Sequence, residues 1–166
     1  MRRLAWTLIF FISAVSSSWA GGPGTHCTDH YGRVVAWVEN NNQSEMAEAH
    51  YHASGAPFIS YNKAAAGESG LSEDAQTFLY NRECGRLVLG HLVRPGESLD
   101  SFRNQVNQED CWAANRFYYV GEVDKLKAVE TELNELERTK WVHVAGPVRV
   151  LDLENTCYFK TPHWSN

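Results

Sequence analysis

The hydrophobic and polar positions along the chain divide it into a short β-rich part and a longer helical part. Runs of β-branched and aromatic residues predict strands near 33–38 and 56–62. The segment 45–52 fits either a strand or a short helix, and the segment 63–71 is expected to be a loop. The first half of the chain is therefore expected to form a small sheet.

Three helices are predicted after these strands. The first covers 73–89, with Ser72 as a favourable N-cap and Gly90 as its end. The second covers 98–118 and begins at a serine cap. The third covers 122–140, where apolar residues recur at helical spacing. The seam that the third helix buries is expected to comprise Leu126, Val129, Leu133 and Leu136.

These elements predict one α+β domain. A small mixed sheet is expected to pack on the first two helices, with the third helix outside them. The tail after the third helix is mixed in character, and its segment 148–153 fits a strand or a short helix. No repeat or shift of composition divides the chain, and its length suits a single core.

The N-terminus has the pattern of a signal peptide. A charged start precedes an apolar run over 4–15, and small residues lead to a cleavage site after Ala20. We expect a signal peptide over 1–20 and a single domain over 21–166, exported to a periplasmic or extracellular compartment and soluble there. The alternative is an N-terminal membrane anchor, although the apolar run is short for a membrane span.

The charge of the chain limits the class of partner. The sequence carries a formal net charge of −5. Nucleic acids and anionic membranes repel a protein of this charge, so neither is expected as a partner.

Four cysteines follow the predicted cleavage point, and an even number in an exported domain predicts two disulfides. Three connectivities are possible. The one we favour joins Cys27 to Cys157, which ties the two ends together, and Cys84 to Cys111, which joins the two central helices. The domain is therefore expected to be stabilised by disulfides.

The first predicted helix contains the most informative segment, Asn81-Arg82-Glu83-Cys84-Gly85-Arg86. Arg82 and Arg86 are four residues apart and share a helix face. Histidines at these two positions would bind zinc, with Glu83 as the general base of a peptidase. Arginine has no lone pair to offer a metal and keeps its proton in proteins. The segment thus has the pattern of a zinc-binding helix without its zinc ligands.

The second predicted helix contains Gln108-Glu109-Asp110, followed by Cys-Trp-Ala. Together with the first helix and the strand before it, this order resembles the gluzincin zinc metallopeptidases, over roughly residues 56–118. The resemblance implies a zincin-like fold. It also implies that Gln108 takes the position of the third zinc ligand and Asp110 that of a supporting carboxylate. A slip of one residue would make Glu109 the ligand instead.

For the first helix, the resemblance implies that Arg82 and Arg86 occupy the two histidine positions, while Glu83 is a vestigial general base. A catalytic zinc needs three protein ligands to polarise its water and the scissile carbonyl. With all three changed, we expect no cofactor and a non-catalytic pseudo-peptidase. The arginine pair either bridges to Glu109 and Asp110 or forms a solvated face.

The role implied is that of a module binding a peptide or protein. Residues 57–62 are expected to accept an extended peptide by strand addition, and the arginines would favour an acidic peptide or a C-terminal carboxylate. Two alternatives remain open. The first is an active zinc peptidase with non-standard ligands, such as His91 with Glu83 or an acidic residue of the second helix. The second is a structural relic that binds nothing. His91 itself is expected to form structural hydrogen bonds.

Overall fold

The computed structural model describes residues 26–144 and 146–159, which form one sheet and six helices. The expected signal peptide lies outside these residues. No helix within them is long and apolar enough to cross a membrane. The elements are β1 (Ala36–Glu39), β2 (Ala47–Tyr51), β3 (Pro57–Tyr61), α1 (Lys63–Glu68), α2 (Glu73–Val88), α3 (Leu99–Tyr119), α4 (Val123–Asn134), α5 (Arg138–Val144) and α6 (Leu153–Thr156).

The three-stranded sheet has the order β1-β3-β2. The central strand β3 runs parallel to β1, with Trp37 opposite Ile59, and antiparallel to β2, with Ala49 opposite Ile59. The α+β class and the mixed sheet are confirmed, and the undecided segment 45–52 contains a strand. Because both edges of β3 are already paired, residues 57–62 have no free edge. The expectation that they accept an extended peptide is therefore wrong.

The two central helices form where the sequence predicts them. The Ser72 side chain accepts a hydrogen bond from the Ala75 N–H at the start of α2. Ser98 makes a capping box with Ser101 at the start of α3. Gly90, with φ +74°, follows the end of α2 in a conformation that favours glycine. The sheet packs mainly on α2, and α3 packs on α2. Trp112 of α3 also reaches the apolar cluster that contains Ala49 and Ile59 of the sheet.

Two predicted segments are wrong. The expected loop 63–71 contains α1, because the Asn62 side chain caps the Ala65 N–H and starts a helical turn. The expected third helix is two helices, α4 and α5, with a break after Asn134. The side-chain amide of Asn134 donates from Nδ2 to the Leu151 carbonyl and accepts the Leu151 N–H at Oδ1. The helix α5 then buries Trp141 in the core. Tertiary contacts thus override the continuous helical pattern.

The remaining expectations for the C-terminal part are met in part. Leu126, Val129 and Leu133 of α4 are buried, and Leu136 is half-buried, as the helical seam predicts. The segment 148–153 holds no strand, and only its last residue begins the short helix α6. The Glu130 carboxylate accepts the Leu153 N–H at 2.8 Å, which attaches this helix to α4.

Two disulfides are present, but the favoured connectivity is wrong. The bridges are Cys27–Cys84 and Cys111–Cys157, with Cα–Cα distances of 5.9 and 5.1 Å. Cys84 is buried with Cys27 in the apolar cluster under the sheet, whereas Cys111 packs against the separate cluster that contains Cys157. Each bridge therefore attaches a terminal segment to one central helix instead of joining the two helices.

Candidate functional site

A cluster of charged side chains lies between α2 and α3. Three carboxylate residues and one arginine of this cluster are at most 6 % exposed. A third arginine reaches the cluster from the segment between α5 and α6. The charge cluster comprises Arg82, Glu83, Arg86, Glu109, Asp110 and Arg149.

The close approach of α2 and α3 brings these groups together. A Cβ atom on Gly85 would lie 3.1 Å from the Cβ of Trp112. Because glycine lacks this atom, the Trp112 side chain packs directly against the backbone of α2. The two helices therefore come near enough for residues 82 and 83 to meet residues 109 and 110.

Arg82 is the buried cation at the centre of the charge cluster. Its Nε lies 3.2 Å from Asp110 Oδ1, its Nη2 3.4 Å from Glu109 Oε2 and its Nη1 3.6 Å from Glu83 Oε1. Burial opposes its charge, but the attraction of the three carboxylates outweighs burial and raises the pKa of Arg82. A Cβ on Gly146 would lie 3.3 Å from Nη2, so the chain there covers the guanidinium closely.

Arg149 is a member of the cluster that sequence reasoning missed. Its Nε donates to Asp110 Oδ2 at 2.7 Å and its Nη2 donates to Asp110 Oδ1 at 2.5 Å, which is a bidentate pair. The guanidinium also lies 5.4 Å from the centroid of the Trp141 ring. Burial is the largest effect on the pKa of Arg149, and repulsion from Arg82 is the next. Together they lower this pKa, although the pairing with Asp110 opposes them. No local pattern in the sequence marks a contact across 39 residues.

Besides its ion pair with Arg82, the Glu83 carboxylate makes two structural contacts through Oε2. Its Oε2 accepts a hydrogen bond from the Ala49 N–H of the edge strand β2 at 3.1 Å, and it lies 3.7 Å from Arg86 Nη1. Burial raises the pKa of Glu83, against the opposing effects of Arg82 and Arg86. The carboxylate predicted to be a vestigial base thus holds the edge of the sheet on α2.

Arg86 differs from the other two arginines because it opens into a cavity. Its side chain is 33 % exposed, and its nearest carboxylate oxygens are 3.7 Å away on Glu83 and 3.9 Å away on Glu109. These distances are too long for hydrogen bonds. The cavity measures about 180 Å³. Its lining includes the apolar residues Pro95, Phe102, Val106, Val142, Val144 and Pro147 and the acidic residues Glu45 and Glu48.

The second motif meets the first through Glu109 rather than Gln108. Glu109 is buried against the arginines, whereas Gln108 is exposed. His91 joins the two residues, because its Nδ1 lies 2.9 Å from Glu109 Oε1 and its Nε2 lies 3.1 Å from Gln108 Oε1. Glu109, and not Gln108, is therefore the residue of α3 that faces Arg82, and His91 makes the hydrogen bonds expected of it.

The donor set does not fit a zinc ion. In the described part of the chain, no three His, Cys, Asp or Glu side chains are arranged to hold a metal. The two positions on α2 that would carry histidines carry guanidinium groups, which cannot coordinate a cation. The carboxylates of Glu109 and Asp110 pair with Arg82 and Arg149, so they are engaged with guanidinium groups.

No protein-family model, no curated protein and no solved structure matches this chain. The relation to the gluzincins therefore stays a prediction that rests on the residues of α2 and α3.

Proposed function

We propose that the protein is an exported, non-catalytic binding module built on a metallopeptidase-like helix pair, in which Arg82 takes the position of the metal ion. The observation that carries this proposal is the burial of the Arg82 guanidinium among three carboxylate groups at 3.2, 3.4 and 3.6 Å. A cation must occupy such a position, because buried carboxylates without a partner are strongly destabilising. Here the chain supplies that cation itself.

The balance of charge supports the same interpretation. The charge cluster contains three arginines and three carboxylates, so its formal charge is zero when all of them are ionised. An added divalent cation would bring two further positive charges into this balanced site. The charges of the cluster are therefore balanced by the chain itself, and in this proposal its guanidinium groups neutralise the buried carboxylates as a metal ion would.

Hydrolysis is not supported by the surroundings of Glu83. A general base must reach the water that it activates, and in a zinc peptidase the metal also lowers the pKa of that water. The Glu83 carboxylate accepts the Ala49 N–H and lies between Arg82 and Arg86. These contacts engage the carboxylate in holding β2 on α2. A binding role for the adjoining cavity, with a peptide or protein as ligand, follows more directly than catalysis.

Zinc uptake by a matched pair of proteins tests the proposal. The wild-type protein and an Arg82→His/Arg86→His double variant, both with disulfides formed, are dialysed against zinc and then against buffer. We expect no retained zinc and no zinc-dependent cleavage of casein for the wild type, and measurable zinc binding for the double variant. Circular dichroism and thermal unfolding establish that the double variant is folded.

Three results would overturn the proposal. One equivalent of tightly held zinc in the wild-type protein, with cleavage that a chelator abolishes, would favour the active peptidase. A folded double variant that takes up no zinc would show that residues 82 and 86 are not at a metal position. A module that binds no partner, with Arg86→Gln affecting stability alone, would favour the structural relic.

A further inference from the structure

We propose that the cavity beside α2 binds the C-terminal residue of a peptide, with Arg86 holding the terminal carboxylate and the apolar wall holding the last side chain. This inference rests on the proposed function, because it names the ligand of the same cleft. Of the two ligands expected from the sequence, an acidic peptide or a C-terminal carboxylate, it selects the second and adds an apolar last side chain.

Arg86 has the free donors that such a ligand needs. Arg149 already makes a bidentate pair with Asp110, and Arg82 is enclosed by carboxylates. Among the described residues, Arg86 makes no hydrogen bond shorter than 3.5 Å, and its nearest carboxylate oxygen is 3.7 Å away. A guanidinium presents five N–H groups in a planar fork that matches a carboxylate. The open donors therefore suit one carboxylate entering from the cavity.

The size of the cavity suits about one residue of a ligand. Its volume is about 180 Å³. Pockets for larger ligands are usually about 300–1,000 Å³. Phe102 and Val106 on α3 and Val142 and Val144 on α5 give the cavity an apolar wall. One apolar side chain next to a carboxylate fits this space, whereas a long peptide does not.

The charges at the cavity favour a ligand with one carboxylate, the one that pairs with Arg86, and no further acidic group. Glu45 and Glu48 line the same cavity, and the whole chain carries a net charge of −5. Any carboxylate beyond the one paired with Arg86 would be repelled by these groups without a compensating partner, while a lysine before the last residue would be attracted. The ligand is thus expected to end in an apolar residue that follows a basic one.

Edge pairing with β2 is not the mode of binding that we propose. The Ala49 N–H in the middle of this strand already donates to Glu83. A peptide that paired along β2 would have to displace this buried bond. A ligand anchored at its terminus needs only the Arg86 donors and the apolar wall.

Three N-acetylated tetrapeptides test the inference by NMR titration of the labelled, disulfide-bonded protein. They are Gly-Ala-Lys-Leu as the free acid, the same peptide as the C-terminal amide, and Gly-Ala-Glu-Leu as the free acid. We expect the amide to bind about tenfold or more weakly than the acid, because it loses a charge-assisted pair. The glutamate peptide is expected to bind several-fold more weakly than the lysine peptide.

Variants assign the effect to one side chain. Arg86→Gln is expected to lower the affinity for the free acid about tenfold and to abolish the preference for acid over amide. Arg86→Lys keeps the charge without the fork and should lose less. The matched control is Arg103→Gln, because Arg103 is exposed on α3, pairs with Asp100 at 4.0 Å and does not line the cavity. This control should bind all three peptides as the wild type does.

Equal affinity for acid and amide, an unchanged affinity in Arg86→Gln, or no shifts of cavity residues at millimolar peptide would each overturn the inference. Equal affinity with shifts at the cavity would leave the proposed binding function standing. Failure of the proposed function itself is recognised separately, by retained zinc and chelator-sensitive cleavage in the wild type.

Discussion

Replacing Arg82 by methionine tests the central physical claim about the charge cluster. Methionine keeps an unbranched apolar side chain in place of the aliphatic part of arginine and removes the guanidinium with its positive charge. The carboxylates of Glu83, Glu109 and Asp110 lie within 3.6 Å of this guanidinium and are almost fully buried. After the substitution, they would face one another with less compensation from the remaining arginines.

The expected loss of stability follows from this burial. Removing one partner of a buried ion pair costs about 3–5 kcal/mol, largely because the other charge remains buried. Domains of this kind have a total stability of about 5–15 kcal/mol. The melting temperature should therefore fall by roughly 10 °C, since about 1 kcal/mol corresponds to about 2–4 °C at this size.

Urea unfolding at neutral pH, with both disulfides intact, provides the measurement. Arg103→Met is the control, because Arg103 is exposed and its one ion pair, at 4.0 Å, is weak. Its loss should stay below about 0.5 kcal/mol. Adding Glu109→Gln to Arg82→Met should recover part of the loss, with an interaction energy of about 1 kcal/mol or more in a double-mutant cycle.

A loss of less than about 1 kcal/mol for Arg82→Met would contradict this reasoning, because that value is typical of exposed pairs. So would strict additivity with Glu109→Gln. Either outcome would mean that the guanidinium does not compensate buried carboxylates in the folded protein.

Three further predictions concern the surroundings of the site. Burial raises the pKa of Glu83, so the stabilisation from its bound proton is complete below the unfolded-state pKa and is lost as the pH rises through the folded-state pKa. In paired urea titrations, Glu83→Gln should therefore gain stability relative to the wild type as the pH rises above about 4.3, and a constant difference would refute this. Replacing Cys111 and Cys157 by serine should cost about 2–4 kcal/mol in urea unfolding, because the bridge closes a span of 46 residues, and equal stability would refute this. Gly85→Ala should cost about 1–3 kcal/mol and change the near-ultraviolet circular dichroism of Trp112, since the added Cβ would lie 3.1 Å from that side chain; an unchanged spectrum and stability would show that the helices can separate freely.

The sequence alone determined the elements whose signals are local. Caps, helical spacing and glycine stops act within a few residues, so α2 and α3 could be predicted almost to their ends. The same local order placed Arg82 and Arg86 on one face of α2 and acidic residues on α3. From these positions, contacts between the two arginines and the acidic residues of α3 could be proposed. Only the packing of the two helices decided that Glu109, and not Gln108, lies next to the arginines.

Only the tertiary structure decided the contacts between distant segments. Four features depend on contacts between residues that are far apart in the chain. They are the central position of β3, the cysteine pairing, the break before α5 and the pairing of Arg149 with Asp110. Such contacts depend on which faces of the packed elements meet, and no periodicity within one element carries that information. The sequence thus supplied the charges of the site, and the packing of α2, α3 and the C-terminal segment determined which of them are buried together and which one, Arg86, stays open to a cavity.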